Sequence, residues 1–439
     1  MITKTTVDRL RILSPKRNSR IGSGRSTWYP YYAGFSPEFA KGLIESSGLR
    51  GRAQVLDPWN GSGTTTTSAA GLGYRAIGSD LNPVMVVVAK AQLLNSLEKS
   101  SILPLASNVA KKSRRFGVIE LAGDPLLTWL SPPSVLNVRK VELALQQLLL
   151  KADLSKPVVL LDDVERLSCL ASFFYLGVFR TLRRVLKPFM TSNPTWIKKP
   201  RSSDEAANIR FSEILEIFKG EISSMVAALN DYPTQFEAPI AGARINVASS
   251  DDLPLRSKTV DMVVTSPPYC TRLDYAVATM AELALLGYHP QSTLRGLRER
   301  LIGASTVPRT TVAPSKEWGL TCNRFLDRLA AHPSKASLSY YLKNHVQYFD
   351  AVFRSLGEIK RTMKPGASCI VVVQDSHYKD IHNDLPKIFS EMASGMGLGL
   401  RRRVDFRLKR TFAGIHPVVR QYRERADATE SVLCFVNQN

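Results

Sequence analysis

The chain has 439 residues, enough for two or three average domains or for one large α/β domain that carries insertions. Its 44% hydrophobic and 22% charged content is that of a soluble globular protein and argues against wholesale disorder. Lysine and arginine exceed aspartate and glutamate by 21, with an isoelectric point of about 9.9, which favours a polyanionic partner such as nucleic acid over an acidic small molecule.

The five cysteines, Cys169, Cys270, Cys322, Cys369 and Cys434, are scattered, with no C-x-x-C pair and no clustered histidines. That argues against a zinc site or a disulfide framework and for a reducing compartment. No apolar run approaches the roughly 20 residues needed to span a bilayer, so neither a metal nor a membrane is expected as a partner.

Residues 1–27 are polar, basic and Gly/Ser-rich, and read as a flexible basic arm. Ser36 followed by Pro37 reads as an N-cap with proline at the first helical position, opening a helix to about Ser47 behind an aromatic cluster that includes Phe35. Gln54-Val55-Leu56-Asp57 is a short strand feeding Pro58-Trp59-Asn60-Gly61-Ser62-Gly63-Thr64-Thr65 into a helix from Thr66 to Gly71. A glycine loop between strand and helix lets backbone approach a ligand at a positively polarised helix end. A second strand, residues 74–80, ends in Asp80, near the spacing at which a carboxylate meets a ribose hydroxyl pair. Asn82-Pro83 starts a helix through about Leu94. The loop lacks the lysine of a phosphate-binding loop, and Asp57 suits a ligand bearing ammonium or sulfonium groups better than a pyrophosphate.

Between residues 97 and 240 the alternation of strand and helix fades. Helical periodicity appears over 138–151, 162–186 and 205–230, and basic groups recur at Lys111 to Arg115, Arg180 to Lys187 and Lys198 to Arg201. These are candidate phosphate contacts or solvated helix faces. Ser131-Pro132-Pro133-Ser134 lacks a preceding apolar strand and reads as a turn. Asn193-Pro194-Thr195-Trp196 sits between basic loop segments.

Regular α/β structure resumes with a strand over 243–248, followed by Ser249-Ser250-Asp251-Asp252, whose carboxylates are placed to accept from an amino group. A buried strand then ends at Ser266-Pro267-Pro268-Tyr269. Two prolines end ladder pairing and leave carbonyls without strand partners, and the aromatic ring adds a flat face. The tetrapeptide therefore offers acceptors plus a stacking platform, which suits a planar amino-bearing group at the carboxyl end of a strand. Arg272, Asp274 and Tyr275 are candidates for shaping that pocket, with Asp274 paired to Arg272 as the plainer reading. An apolar helix covers 276–286, a basic irregular stretch covers 288–336, and a helix from about Ser337 ends at Lys364-Pro365-Gly366. Strands over 368–374, 400–410 and 431–436 flank a helix over 384–395, the last two reading as an antiparallel edge hairpin. The histidines are isolated and read as structural, with His377 of Gln374-Asp375-Ser376-His377 the nearest to a strand end.

Taken jointly, residues 57–65, Asp80, residues 251–254 and Ser266-Pro267-Pro268-Tyr269 resemble the S-adenosylmethionine-dependent amino-DNA methyltransferases, over roughly 28–95, 243–286 and 337–439. The resemblance implies a Rossmann-like class I methyltransferase sheet, mostly parallel with an antiparallel C-terminal edge hairpin, plus a mainly helical insertion. It implies a catalytic domain in three parts (28–96, 241–287 and 337–439), interrupted by a candidate DNA-recognition region at 97–240 and a basic insertion at 288–336.

The implied cofactor is S-adenosylmethionine, held by Phe35, Asp57, Trp59, Gly61, Gly63, Thr64, Asp80, Asn82, Asp251 and Asp252. Ser266 and the Pro267 carbonyl would accept the amino hydrogens, Pro268 would shape the turn, and Tyr269 would stack on a base flipped from duplex DNA. Serine at the first motif position leans towards cytosine in this family, and aspartate or asparagine towards adenine. An adenine enzyme, an RNA methyltransferase and a protein that binds without methyl transfer are the competing readings. The resemblance further implies a prokaryotic cytoplasmic, nucleoid-associated setting in restriction-modification or defence, with an endonuclease as a possible partner. Cys270 is expected to be a bystander.

Overall fold

The structure, a computed structural model, describes residues 6–16, 24–30, 34–150, 163–191, 196–229, 242–270, 274–290, 292–304, 306, 312–408 and 428–438. In chain order the strands are β1 (Gln54–Asp57), β2 (Arg75–Asp80), β3 (Ala243–Val247), β4 (Val260–Thr265), β5 (Met363–Gln374), β6 (Ser376–Tyr378), β7 (Ile381–Asn383), β8 (Leu398–Leu408) and β9 (Ala428–Asn437). Seven of them form one sheet in the order β3-β2-β1-β4-β5-β9-β8, and β6 pairs with β7 in a separate hairpin. Strands β1 to β5 run parallel, while β9 is antiparallel to both β5 and β8. This is a Rossmann-like, mostly parallel sheet with the antiparallel C-terminal pair. The last strand, β9, inserts between β5 and β8 and leaves β8 at the edge.

The strand order locates the ligand crevice. β1, β2 and β3 are laid down in one direction, and β4 then pairs with the other side of β1. The order reverses between β1 and β4, and open α/β sheets bind ligands outside the carboxyl ends of their strands at such a point. β1 ends there in Asp57 and β4 in Thr265.

Alternation along the strands assigns the two faces. Val55, Met262, Val264, Ile370 and Val372 pack with Phe39, Leu43 and Ile44 of the helix Pro37–Ser46. Leu56, Val263, Cys369, Val371 and Val373 turn the other way, towards the helices Leu320–Ala330, Leu342–Thr362 and Leu385–Gly395. Both faces are covered, so the central strands read as unbroken apolar runs.

The region 97–240 contributes the helices Lys99–Ser113, Pro132–Leu149, Cys169–Val185 and Phe211–Ala227. They share one core with the helix Pro83–Gln92, which is buried nearly all round, and with Met280–Leu285. Ser131-Pro132-Pro133-Ser134 is a helix start rather than a free turn, with Ser131 at the N-cap and the prolines in the first helical positions, where a missing N–H costs nothing. The apolar helix expected over 276–286 is broken at Thr279 into Tyr275–Ala278 and Met280–Leu285. No helix among the described residues is long and apolar enough to cross a membrane.

Candidate active site

The glycine loop is built on β1 and braced by β2. The Asn60 amide donates to the Ser79 carbonyl at 3.0 Å, and the Gly63 amide to the Asn60 carbonyl at 2.8 Å. Gly63 has φ +86°, and a Cβ there would lie 2.9 Å from the Ala89 Cβ, so only glycine lets the loop press against the helix Pro83–Gln92. Asp57 accepts from Thr65 Oγ1 at 2.7 Å, Thr265 Oγ1 at 2.5 Å and the Trp59 amide at 3.1 Å, tying the tips of β1 and β4 together. Asp80 accepts from the Gly61 amide at 2.9 Å and the Asn82 amide at 2.8 Å. Burial pushes both carboxyls up to about 6, against the opposing pull of these hydrogen bonds.

Asn82 caps the helix Pro83–Gln92 by accepting from the Val84 amide at 3.1 Å, and donates to Thr279 Oγ1 at 2.9 Å. Two donors in the loop, Trp59 Nε1 and Asn60 Nδ2, are buried without a partner among the described residues.

The turn after β4 is fixed from four sides. Ser266 Oγ donates to the Val372 carbonyl of β5 at 3.0 Å. Tyr348, on the helix Leu342–Thr362, donates its hydroxyl to the Pro268 carbonyl at 3.0 Å. Tyr269 donates its hydroxyl to Glu430 Oε1 of β9 at 3.0 Å. Gly303 packs so closely that a Cβ would sit 3.2 Å from the Tyr269 carbonyl oxygen. Among the described residues no hydrogen bond engages the Pro267 carbonyl. Burial pushes the Cys270 thiol up to about 12, so it stays protonated at neutral pH and is a poor nucleophile.

One cavity joins the two sets. Its wall includes Phe35, Asp57 to Ser62, Thr64, Asp80, Asn82, Ser249, Ser250, Ser266 to Tyr269 and Tyr275. Residues from both 97–240 and 288–336 reach it. Arg183, on the helix Cys169–Val185, pairs with Glu282, donates to the Tyr29 hydroxyl at 2.8 Å and to the Ala278 carbonyl at 3.0 Å, and lies over the Tyr29 ring. From the second stretch, Arg300, Leu301 and Ile302 line the same cavity, next to Gly303, which packs on the Tyr269 carbonyl.

No family model matches the chain. Among curated proteins it is 22% identical over 395 residues to the Type II methyltransferase M.BsoBI of Geobacillus stearothermophilus, covering 80% of this chain and 74% of the relative. It is 20% identical over 407 residues to the Type II methyltransferase M.AvaI, found in Nostoc sp. and in Anabaena variabilis, covering 85% of this chain and 79% of the relative. The chain is similar to Type II methyltransferases over most of its length. A solved 16S rRNA (adenine(1408)-N(1))-methyltransferase from Catenulisporales acidiphilia, with cosubstrate SAM, covers 50% of this chain and 70% of its own. Its identity is 13% and its TM-score 0.20, and the strand order above, not this superposition, carries the fold.

Of the residues expected at a methyltransferase site, Phe35, Asp57, Trp59, Gly61, Thr64, Asp80, Asn82 and Ser266 to Tyr269 line the one cavity. Gly63 does not, because it faces the helix behind the loop. Asp251 and Asp252 also lie outside the wall. Asp251 pairs with Arg354 and accepts from Ser249, while Ala248, Ser249 and Ser250 form the wall in their place.

Asp274 pairs with Arg298 at 2.6 Å and accepts from the Val277 amide, and the partner expected for it, Arg272, lies outside the described residues. His377 is absent from the wall, and Asp375 beside it pairs with His382. Arg180 and Arg184 are bound to Glu221 and Arg183 to Glu282, so these three serve the fold before any phosphate.

Tyr348 and Glu430 had no sequence signal as site residues. Each lies far along the chain from the group it touches, and only the fold brings them in.

Proposed function

We propose that the protein is an S-adenosylmethionine-dependent DNA methyltransferase that acts on an exocyclic amino group, with cytosine N4 favoured. The observation that carries this reading is the Ser266-Pro267-Pro268-Tyr269 turn, rigidly held at the switch point and facing the same cavity as the glycine loop and Asp80. The likeness to Type II methyltransferases and the excess of 21 basic groups support a polymeric DNA substrate, and with it work on chromosomal DNA in a prokaryotic cytoplasm.

The residues present fit the cofactor. Trp59 Nε1 and Asn60 Nδ2 are buried donors in want of an acceptor, which a carboxylate supplies. Asp57 and Asp80 are desolvated carboxyls, which hydroxyl donors and positive charge on a ligand stabilise in their ionised form. Bound there, S-adenosylmethionine supplies an electrophilic methyl group on a sulfonium.

The exocyclic amino nitrogen of a base is a poor nucleophile because its lone pair is delocalised into the ring. Ser266 directs its hydroxyl proton to the Val372 carbonyl, so its oxygen presents lone pairs to one amino hydrogen. The Pro267 carbonyl accepts the other. Two acceptors held at fixed positions favour a pyramidal nitrogen aimed along the methyl transfer line. Tyr269, fixed through Glu430, offers its ring to the flipped base. Serine in place of an acid at the first position is what favours cytosine.

The test is transfer of labelled methyl groups to duplex DNA and to RNA, with digestion to nucleosides and mass spectrometry. The expected product is N4-methylcytosine in DNA. Label in N6-methyladenine would overturn the base assignment, and label confined to RNA would overturn the DNA reading.

A further inference from the structure

We infer that residues 196–201 are a nucleic-acid contact near the cavity, in which the Trp196 indole stacks on a base left unstacked where the duplex opens for flipping, while Lys198, Lys199 and Arg201 meet neighbouring phosphates. This rests on the DNA-directed reading above and adds a surface that the reaction itself does not require.

The first observation is exposure. Trp28, Trp129 and Trp318 are buried in cores, and Trp59 lines the cavity, but Trp196 is 55% exposed. Among the described residues it is the one Phe, Tyr or Trp ring left largely in solvent. The second observation is that its backbone is not loose. Ile197 is buried and bridges antiparallel to Met190. The Lys198 amide donates to the Phe189 carbonyl at 2.9 Å, and Trp129 Nε1 donates to the Lys198 carbonyl at 3.0 Å. The Arg201 amide donates to Glu205 at 2.8 Å. A pinned backbone that presents a large planar apolar ring to water is preorganised for stacking, which costs little further ordering.

The third observation is charge. Lys198, Lys199 and Arg201 are outside the core, and among the described residues none of the three is in an ion pair. The contrast with the neighbouring helix is direct, since Arg180, Arg183 and Arg184 are all paired with glutamates. Residues 196–201 contain no acid, so an anionic partner fits and a basic one does not.

Placement completes the argument. Arg183 lines the cavity, and the chain leaves its helix at Val185, passes through the short turn Lys187–Phe189 and reaches Met190, the bridge partner of Ile197. At helical rises this path is roughly 10–15 Å long, about the width of one DNA groove. Ile197 and its neighbours are therefore close enough to the cavity wall to be reached by a duplex seated there. Stacking on an aromatic ring is tolerant of sequence because every base has a π face, and the flanking cations add phosphate contacts.

The experiment measures duplex binding by fluorescence anisotropy, cofactor binding by calorimetry, and methyl transfer, for the full-length protein and two variants. Trp196→Ala should weaken duplex binding about tenfold, within the range found for loss of one stacked base, with cofactor affinity unchanged. The paired variant Lys198→Ala/Lys199→Ala should lower the slope of log affinity against log salt by about 2, one unit for each phosphate no longer neutralised. In the unmodified protein, duplex should quench an emission component that Trp196→Phe removes.

If the unmodified protein binds duplex and transfers methyl groups but Trp196→Ala binds within twofold of it, the stacking contact is wrong. A Trp196→Ala protein with normal duplex binding that loses a protein partner would likewise overturn it. If the unmodified protein neither binds nor methylates DNA, the DNA reading itself fails, and this is seen before any variant is compared.

Discussion

On the β1–β2 side of the cavity the polar groups are buried carboxylates and loop amides, Asp57 and Asp80 gathering donors from Thr65, Thr265, Trp59, Gly61 and Asn82. On the β4–β5 side they are hydroxyls, with Ser266, Tyr269 and Tyr348 each donating to a fixed acceptor. The first arrangement leaves carboxylate charge short of compensation and donors without acceptors, which suits a ligand that carries positive charge, hydroxyl donors and an acceptor such as a carboxylate. The second satisfies every hydroxyl proton and leaves acceptor lone pairs outward, which is a surface that awaits amino hydrogens. The difference matches the function proposed above, in which cofactor and base occupy opposite sides of the cavity. Changes on one side should move cofactor affinity and changes on the other should move turnover.

The largest effect is expected at Tyr269. Removing its ring in Tyr269→Ala should lower kcat about a hundredfold, the upper part of the range for one stacked base, with the cofactor dissociation constant within about twofold. Single-turnover kinetics beside calorimetry separates the two, and equal loss of both would erase the division between the sides. On the other side, Asp80→Ala should weaken cofactor binding about thirtyfold. It removes a ligand acceptor and also strands the Gly61 and Asn82 amides, each worth about 1–3 kcal/mol when buried and unpaired. A thermal scan should show the matching loss of stability, and turnover at saturating cofactor should change much less.

Much of this division was legible in the chain, and the reasons are local. A strand that stops at two prolines, or a glycine loop between strand and helix, is set by residues adjacent in sequence, so both sides of the cavity could be placed before the fold was known. Ser36 as an N-cap needed only its own helix, and its side chain does accept from Phe39. The position of Asp251 after β3 was readable, but its partner Arg354, about a hundred positions away, was not, and Asp251 lies outside the cavity wall. The Glu430 acceptor for Tyr269 lies 161 positions from its partner, and the Arg183 contact to Glu282 spans 99. Such pairs depend on how β9 and the inserted helices dock. The same docking explains why all three arginines of the helix Cys169–Val185 are paired with glutamates.

The carboxylate side also predicts a pH dependence. Without ligand, the Asp57 and Asp80 carboxyls sit at about 6, raised by burial above their ordinary value. A ligand that donates hydrogen bonds or positive charge favours the ionised form, so it lowers these values and releases protons on binding. Affinity should therefore be full above about pH 7 and fall as pH drops through 6, by about tenfold per group at pH 5. Folding stability of the free protein has the opposite sign. A carboxyl raised by burial opposes folding most when ionised, so this contribution is unfavourable at neutral pH, shrinks as pH falls below 6 and is gone only below about 3.8, where the unfolded chain is protonated too. Calorimetry in two buffers of different ionisation heat reads the proton release. Affinity flat from pH 5 to 8 would show that neither acid meets the cofactor.

The smallest expected effect tests the hydroxyl side at its most remote point. Tyr348 touches neither cofactor nor base in this arrangement, since it acts by donating to the Pro268 carbonyl from the helix Leu342–Thr362. In Tyr348→Phe the ring stays packed in its core and only the hydrogen bond is lost, a net cost of about 1 kcal/mol. Freed at Pro268, the turn gains latitude at the neighbouring Pro267 carbonyl, the acceptor proposed above for an amino hydrogen. If that latitude is felt in the reaction, kcat should fall about fivefold while KM for DNA and cofactor affinity hold. A purely structural contribution would instead lower the melting temperature and leave kcat unchanged. The split between those two readouts decides whether the turn is held for catalysis or merely held.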